Sequence, residues 1–183
     1  DVTDAEAEFI RIVDERHPQS QKPVIIGNCQ GGWAVMMLAA ARPDIAGPLV
    51  INAAPRSYWA GGDGGGPMRY AGGLLGGARP ALFASDLGGG KFDGATLVDN
   101  FEQLNPANTL WEKWYHLYTN IDTEPERFLE FERWWGGYYL MNEEEIRWIV
   151  NNLFVGNKLT AGEAPLGPGR YFDLKSIKQP IIV

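Results

Sequence analysis

Cysteine is nearly absent from this chain of 183 residues: Cys29 stands alone and cannot close an internal disulfide. Histidine is almost as scarce. His17 and His116 are the only two, and with Cys29 they make no metal-ligand spacing. No metal is therefore expected, and nothing in the sequence implies a cofactor. Positive charge is short as well, with 16 Lys and Arg against 23 Asp and Glu and a net charge of -7. No basic stripe exists to meet phosphates, which argues against nucleic acid as a partner. No apolar run approaches the ~20 residues that a membrane-spanning helix needs, and no signal peptide opens the chain. A thiol with no partner for a disulfide points to a reducing compartment, the cytoplasm.

Glycine and tryptophan, in contrast, are plentiful at 23 and seven, in a chain that is 45% hydrophobic and 21% charged. Those shares are those of a globular protein, and the length suffices for one domain with a real core. The cysteine lies in the most informative stretch, Pro23 to Pro43. Val24-Ile25-Ile26 has the β-branched character of a buried strand. Gly27, Asn28, Cys29, Gln30, Gly31 and Gly32 follow, and then an alanine-rich apolar segment predicts a helix over Gln30 to Ala41. Strand, tight turn and helix with a nucleophile at the apex is the small-x-nucleophile-x-small arrangement of a nucleophile elbow, with Cys in place of Ser. Gly27, Gly31 and Gly32 have a steric reason, because strand and helix backbones approach closely at so sharp a turn. The helix start brings N–H groups and the positive dipole end beside the sulfur, favouring thiolate and then an oxyanion. The competing reading is a buried structural thiol. The flanking glycines and the preceding strand favour the nucleophile.

Elsewhere, apolar Ala5, Phe9, Ile10 and Val13 predict a helix over residues 4 to 16, with Thr3 or Asp4 as its cap. Pro48 to Ala54 reads as a second buried strand, and short links between helices and strands imply a parallel sheet in an α/β fold. Residues 56 to 92 carry glycine runs around Asp63 and beyond, which predict irregular loops with short helices, a lid rather than a sheet. Helices are predicted at Asp93 to Gln103, Trp111 to Tyr118, Glu124 to Trp135 and Asn142 to Leu153, the last capped by Asn142. A loop rich in Gly and Pro over 156 to 169 leads to a final strand after Pro180. Three regions result: 1–55, a core segment with the elbow; 56–170, a mostly helical, Gly- and aromatic-rich cap insertion; and 171–183, the return to the sheet. A strand-like run closing the chain at Ile181-Ile182-Val183 reads as an internal piece of a longer polypeptide. His17 is expected to end a helix, and His116 to sit at a packing or surface position. Trp111, Trp114, Trp134, Trp135 and Trp148 are expected to form the packed core of the cap, the alternative being an apolar passage for an acyl chain.

The elbow at Gly27-Asn28-Cys29-Gln30-Gly31-Gly32, the large insertion and the closing run Ile177 to Val183 resemble the α/β-hydrolase superfamily, and more narrowly its polyhydroxyalkanoate synthase branch. The run Trp148 to Asn157 is similar to the end of the synthase cap. Gly27 to Trp33, Asn105 to Trp111 and Phe131 to Gly137 resemble runs of a bacterial synthase-like family. The resemblance implies a partial α/β-hydrolase fold with a helical cap. It implies Cys29 as the acyl-carrying nucleophile and the Gln30 backbone N–H as one oxyanion donor. Asn28 and Trp33 beside the elbow are the candidate substrate contacts. The catalytic Asp and His of the synthases would lie beyond Val183, so this stretch alone is expected to be inactive. The implied activity is acyl transfer on acyl thioesters, hydroxyacyl-coenzyme A among them, or on esters, and a homo-oligomer is compatible with it. A thioesterase or ester hydrolase is the alternative on the same scaffold, and a non-catalytic binding protein that kept the fold is the alternative from another class.

Overall fold

The computed structural model describes residues 2–55, 57, 59, 77–103 and 105–183. In chain order its regular elements are α1 (Val2–Arg16), β1 (Ile25–Asn28), α2 (Gln30–Ala41), β2 (Leu49–Asn52), α3 (Arg79–Leu87), β3 (Lys91–Asp93), α4 (Gly94–Glu102), α5 (Lys113–Thr119), α6 (Pro125–Trp135), β4 (Leu140–Asn142), α7 (Glu143–Ile149), α8 (Lys158–Ala161), β5 (Pro165–Gly167), β6 (Arg170–Tyr171) and β7 (Ile181–Ile182). Two π-helical stretches, Ala107–Glu112 and Val150–Phe154, add to these. The chain is mixed α/β and forms two compact units, Asp1–Asp63 with Val150–Val183, and Gly64–Ile149.

The first unit is built on a three-stranded sheet in the order β1-β2-β7, with both pairings parallel. β2 and β7 are neighbours, although more than a hundred residues separate them in the chain, so the second unit is inserted between two adjacent strands. One face of the sheet is packed. Leu49 and Ile51 join Val35, Met36, Ala39 and Ala46 in a buried cluster, with Ile25, Ala54, Leu174 and Ile177 against it. Leu38 meets Ala7 and Ile10 of α1, and Ile25 and Ile45 pack against both clusters. α2 is therefore covered by the sheet and by α1, which is why its sequence carries no polar stripe.

α1 is longer than the sequence predicts, and of the predicted apolar residues only Ile10 is buried. Thr3, Ala7 and Ile10 are its buried residues, at helical spacing, whereas Phe9 is 68% exposed and Val13 and Ala5 are exposed too. Because the helix starts at Val2, Thr3 and Asp4 lie inside it and do not cap it. Asp4 instead pairs with Arg42 at the end of α2, 3.1 Å away. The helix carries two apolar lines, and contact with Leu38 selects the one containing Ala7. Glu6 lies partly buried on the same helix, its Oε2 without a hydrogen-bond partner among the described residues, and burial pushes its carboxyl pKa up.

Residues 150 to 170 belong with the sheet unit, so the return comes earlier than the predicted boundary at 171. Leu153, Leu159, Ala164 and Phe172 are buried there. Phe154 meets Trp33 edge to face at 5.4 Å, and the Trp59 indole N–H donates to the Val155 carbonyl at 2.7 Å. The stretch predicted as a Gly/Pro loop contains α8 and β5, and β5 pairs antiparallel with β6 just beyond it.

In the second unit, β3 and β4 pair antiparallel, with Phe92 opposite Met141 and buried. This small sheet is not predicted, β3 lying at the junction of the predicted lid and helix and β4 just before the helix predicted from Asn142, because three-residue strands are too short to show alternation. Each strand ends by capping a helix. Asp93 Oδ1 accepts from Ala95 N at 2.9 Å and Asn142 Oδ1 from Glu144 N at 2.7 Å, the latter cap being the predicted one. Lys113 bridges α5 to Glu132 of α6 at 3.0 Å, and Trp135 of α6 donates to Glu102 of α4 at 2.8 Å. Trp114 meets Phe128 at 5.0 Å and Trp135 stacks on Phe131 at 5.9 Å. These rings touch, yet α5 and α6 bury no residue fully, and Trp111 and Trp134 are open. The aromatic run is thus not the enclosed core that its composition predicts. Asp63 and its glycine runs lie outside the described residues. Among the described residues no helix is long and apolar enough to cross a membrane.

Candidate active site

β1 ends at Asn28 and α2 starts at Gln30, so one residue makes the whole turn. Cys29 does it at φ 52 and ψ -116, a conformation that residues with a Cβ rarely adopt. Its backbone is held on both sides. Cys29 N–H donates to the Asn52 carbonyl at 2.9 Å, and the Cys29 carbonyl accepts from Gly32 N–H at 3.0 Å. The thiol is half-buried and free of any disulfide.

The glycines divide into two kinds. A Cβ on Gly27 would lie 2.5 Å from the Gly31 carbonyl oxygen and 2.7 Å from Gly32 Cα, and one on Gly32 would lie 2.2 Å from Ala54 Cβ. Strand and helix are packed too closely there for any side chain. A Cβ on Gly31 would meet nothing within 4 Å, so the steric need predicted for it is not present. Gly31 sits in the first turn of α2, after Gln30, and first-turn N–H groups have no acceptor within their own helix. The Gln30 N–H therefore sits at the positive end of the helix, next in the chain to the sulfur-bearing residue.

Two neighbours complete the turn, and both are invisible to motif reasoning. Asn52 stands opposite Asn28 in the parallel register, and its side-chain N–H donates to Asn28 Oδ1 at 2.7 Å. Ala53, the next residue, is also left-handed, at φ 45. It turns the chain so that Ala54 lies against Gly32. The carboxyl end of β2 thus clamps the turn after β1. The only hint in the sequence is the match of Asn-Cys after one strand with Asn-Ala after the next.

Trp33, predicted as a substrate contact, is 7% exposed and packed on Phe154, which makes it part of the packing behind the turn. Asn28 is exposed at the carboxyl edge of the sheet. His17 is exposed beyond α1. His116 is exposed on α5, its Nδ1 3.3 Å from Asn120 Nδ2. Among the described residues no three His, Cys, Asp or Glu side chains gather to hold a metal ion.

Fold and turn together define an α/β protein that presents a half-buried thiol on a strained strand-to-helix turn. All of residues 1–183 match the family described as Protein of unknown function (DUF3141), and the chain belongs to that family. It is similar to an uncharacterized protein in the ackA 5′ region of Rhizobium meliloti, at 55% identity over 184 residues, covering 100% of this chain and 25% of the relative. The chain therefore spans about a quarter of the length of that curated relative. No solved structure matches it.

Proposed function

We propose that Cys29 is the nucleophile of an acyl-transfer enzyme of the α/β-hydrolase type, acting on acyl thioesters in the manner of the polyhydroxyalkanoate synthases. The observation that carries this reading is the Cys29 backbone, φ 52 and ψ -116, between a strand and a helix that meet so closely that Gly27 and Gly32 admit no side chain. Such strain costs on the order of 1–3 kcal/mol and clusters at functional sites, and a merely structural cysteine gains nothing from it. The sulfur, once deprotonated, attacks the acyl carbonyl carbon. A C–S bond forms, and the carbonyl electrons move to an oxyanion that the Gln30 N–H receives. Collapse expels the leaving thiolate, which takes up a proton, and leaves the acyl group on Cys29. A hydroxyl acceptor then takes the acyl group and frees the thiolate. The base that removes the first proton belongs to the whole protein, in which the resemblance puts a His and an Asp beyond Val183.

Incubation of the intact protein with an acyl-coenzyme A whose hydroxyl acceptor has been removed tests this. The expected result is a mass increase of one acyl group on the peptide containing Cys29, absent from Cys29→Ala. An unmodified Cys29, or an adduct that persists in Cys29→Ala, overturns the proposal. Free acid released in water, with no transfer to an added hydroxyl acceptor, would assign hydrolysis as the second step.

A further inference from the structure

We infer that the aromatic side of α5, in the second unit, docks an arginine-rich segment of a partner protein. The polarity of this helix is inverted. Lys113, Leu117 and Asn120 form its partly buried line. Trp111, Trp114, Tyr115 and Tyr118, on α5 and the turn before it, are 77%, 52%, 69% and 77% exposed. These four stand three or four residues apart and therefore share one side. A helix that packs only within its own domain does the reverse, with its apolar stripe inward and its polar residues out. Trp and Tyr are, moreover, among the residues that carry most of the energy at protein interfaces.

Charge decides the occupant. Residues 64–149 hold 13 Asp and Glu against seven Lys and Arg, which is -6 of the chain's net -7. Lys113 and Arg127 are taken by Glu132 and Glu124. Glu112, Asp122, Glu126 and Glu130, in the same segment, are exposed, and among the described residues none of them pairs with a Lys or Arg. One cation is already held here in the manner expected of a partner's. Lys113 Nζ lies 5.7 Å from the centre of the Trp114 ring and 5.8 Å from that of Phe128, with Glu132 at 3.0 Å. Open ring faces beside unpaired carboxylates fit guanidinium groups best, because guanidinium both pairs with carboxylate and stacks on aromatic rings. A second copy is a poor occupant, since it sets two units of -6 against each other. A lipid surface is another, because helices that lie on membranes carry Lys and Arg on their polar face.

The probe is fluorescein-labelled octa-arginine, added to the intact protein at physiological salt and followed by fluorescence anisotropy, with octacitrulline as its uncharged counterpart. Octa-arginine is expected to bind and octacitrulline is not. Trp111→Ala combined with Tyr115→Ala leaves every charge in place and is expected to weaken binding roughly tenfold, the effect of losing two exposed cation–π contacts. Both rings are exposed, so the thermal midpoint of this variant should match the parent's. Trp111→Phe combined with Tyr115→Phe keeps two ring faces and is expected to restore most of the binding. Undiminished binding by the alanine pair means that net charge alone holds the peptide and overturns the proposal, as does a parent that does not bind. A dimer in sedimentation that the alanine pair dissolves means that a second copy covers the face and overturns it equally. None of these outcomes depends on whether Cys29 carries an acyl group.

Discussion

Two residues with a Cβ, Cys29 and Ala53, hold left-handed backbone at the carboxyl ends of adjacent parallel strands. Neither conformation is imposed by crowding of its own side chain. Cys29 is half-buried and Ala53 is exposed, so the strain is maintained by what surrounds them. The Asn52 carbonyl holds Cys29 N–H, and Ala54 is wedged against Gly32. Ala53→Gly is therefore expected to keep the turn, because glycine adopts positive φ freely. Ala53→Val places a β-branched side chain there and is expected to cost about 1–2 kcal/mol. The measurement is the ratio of acylation by a thioester to alkylation by iodoacetamide at Cys29. Ala53→Val lowers the ratio, since alkylation needs no oxyanion site, and Ala53→Gly preserves it. The glycines extend the contrast. Gly31→Ala is expected to be neutral or stabilising by up to ~1 kcal/mol, as alanine favours a helix. Gly27→Ala and Gly32→Ala are each expected to cost more than about 1 kcal/mol through forced backbone shifts. Denaturant midpoints of the three variants check this.

Glu6 gives a residue-scale prediction of another kind. Burial raises its carboxyl pKa in the folded state, so the fold prefers it protonated. The stability tied to that preference is fully present below the unfolded value of about 4.3 and is lost as pH rises through the folded value. Glu6→Gln keeps the neutral form at every pH. Thermal melts are expected to show the variant more stable than the parent at pH 7, with the difference vanishing below about pH 4. An equal gain at both pH values would show that the charge is not the cause.

At the scale of elements, what could be read from the sequence was what has a long period or a strong local chemistry. α2 is predicted and observed over Gln30 to Ala41, and the segments of α4 and α6 are found within a residue or two of their predicted bounds. The Asn142 cap is legible because an amide followed by Glu143, Glu144 and Glu145 has one common use, at a helix start. β3, β4, β5 and β6 are two or three residues long, and no alternation can be seen over so short a span. α1 shows a different limit. Its sequence fits a helix at once, but which apolar line turns inward depends on Leu38, which is distant along the chain and meets Ala7 and Ile10 only in the fold. The candidate site was half legible for the same reason. Gly27 and Cys29 form a local motif, whereas Asn52, Ala53 and Ala54 join it only through the β1-β2 register.

At the scale of the whole chain, the arrangement is an interrupted sheet unit with a second compact unit spliced into it between β2 and β7. Within the sheet unit the last described residue before the splice is held beside a residue shortly after it: the Trp59 indole N–H donates to the Val155 carbonyl at 2.7 Å. Closing that gap with a short linker requires little extension, and the entropy of a loop grows only slowly with its length, by about 0.6 kcal/mol per doubling. Units inserted at such points are commonly separable. Replacing residues 64–149 with a Gly-Ser linker of about four residues is therefore expected to leave the first unit folded. Trp33 supplies the readout, being buried edge-on against Phe154 inside that unit. Its near-ultraviolet circular dichroism should survive the deletion and disappear in a single cooperative thermal transition. Loss of that signal at low temperature would mean that the sheet unit depends on the inserted one for its stability. Survival would make the Cys29 turn a property of the sheet unit alone, and the inserted unit free to vary without disturbing it.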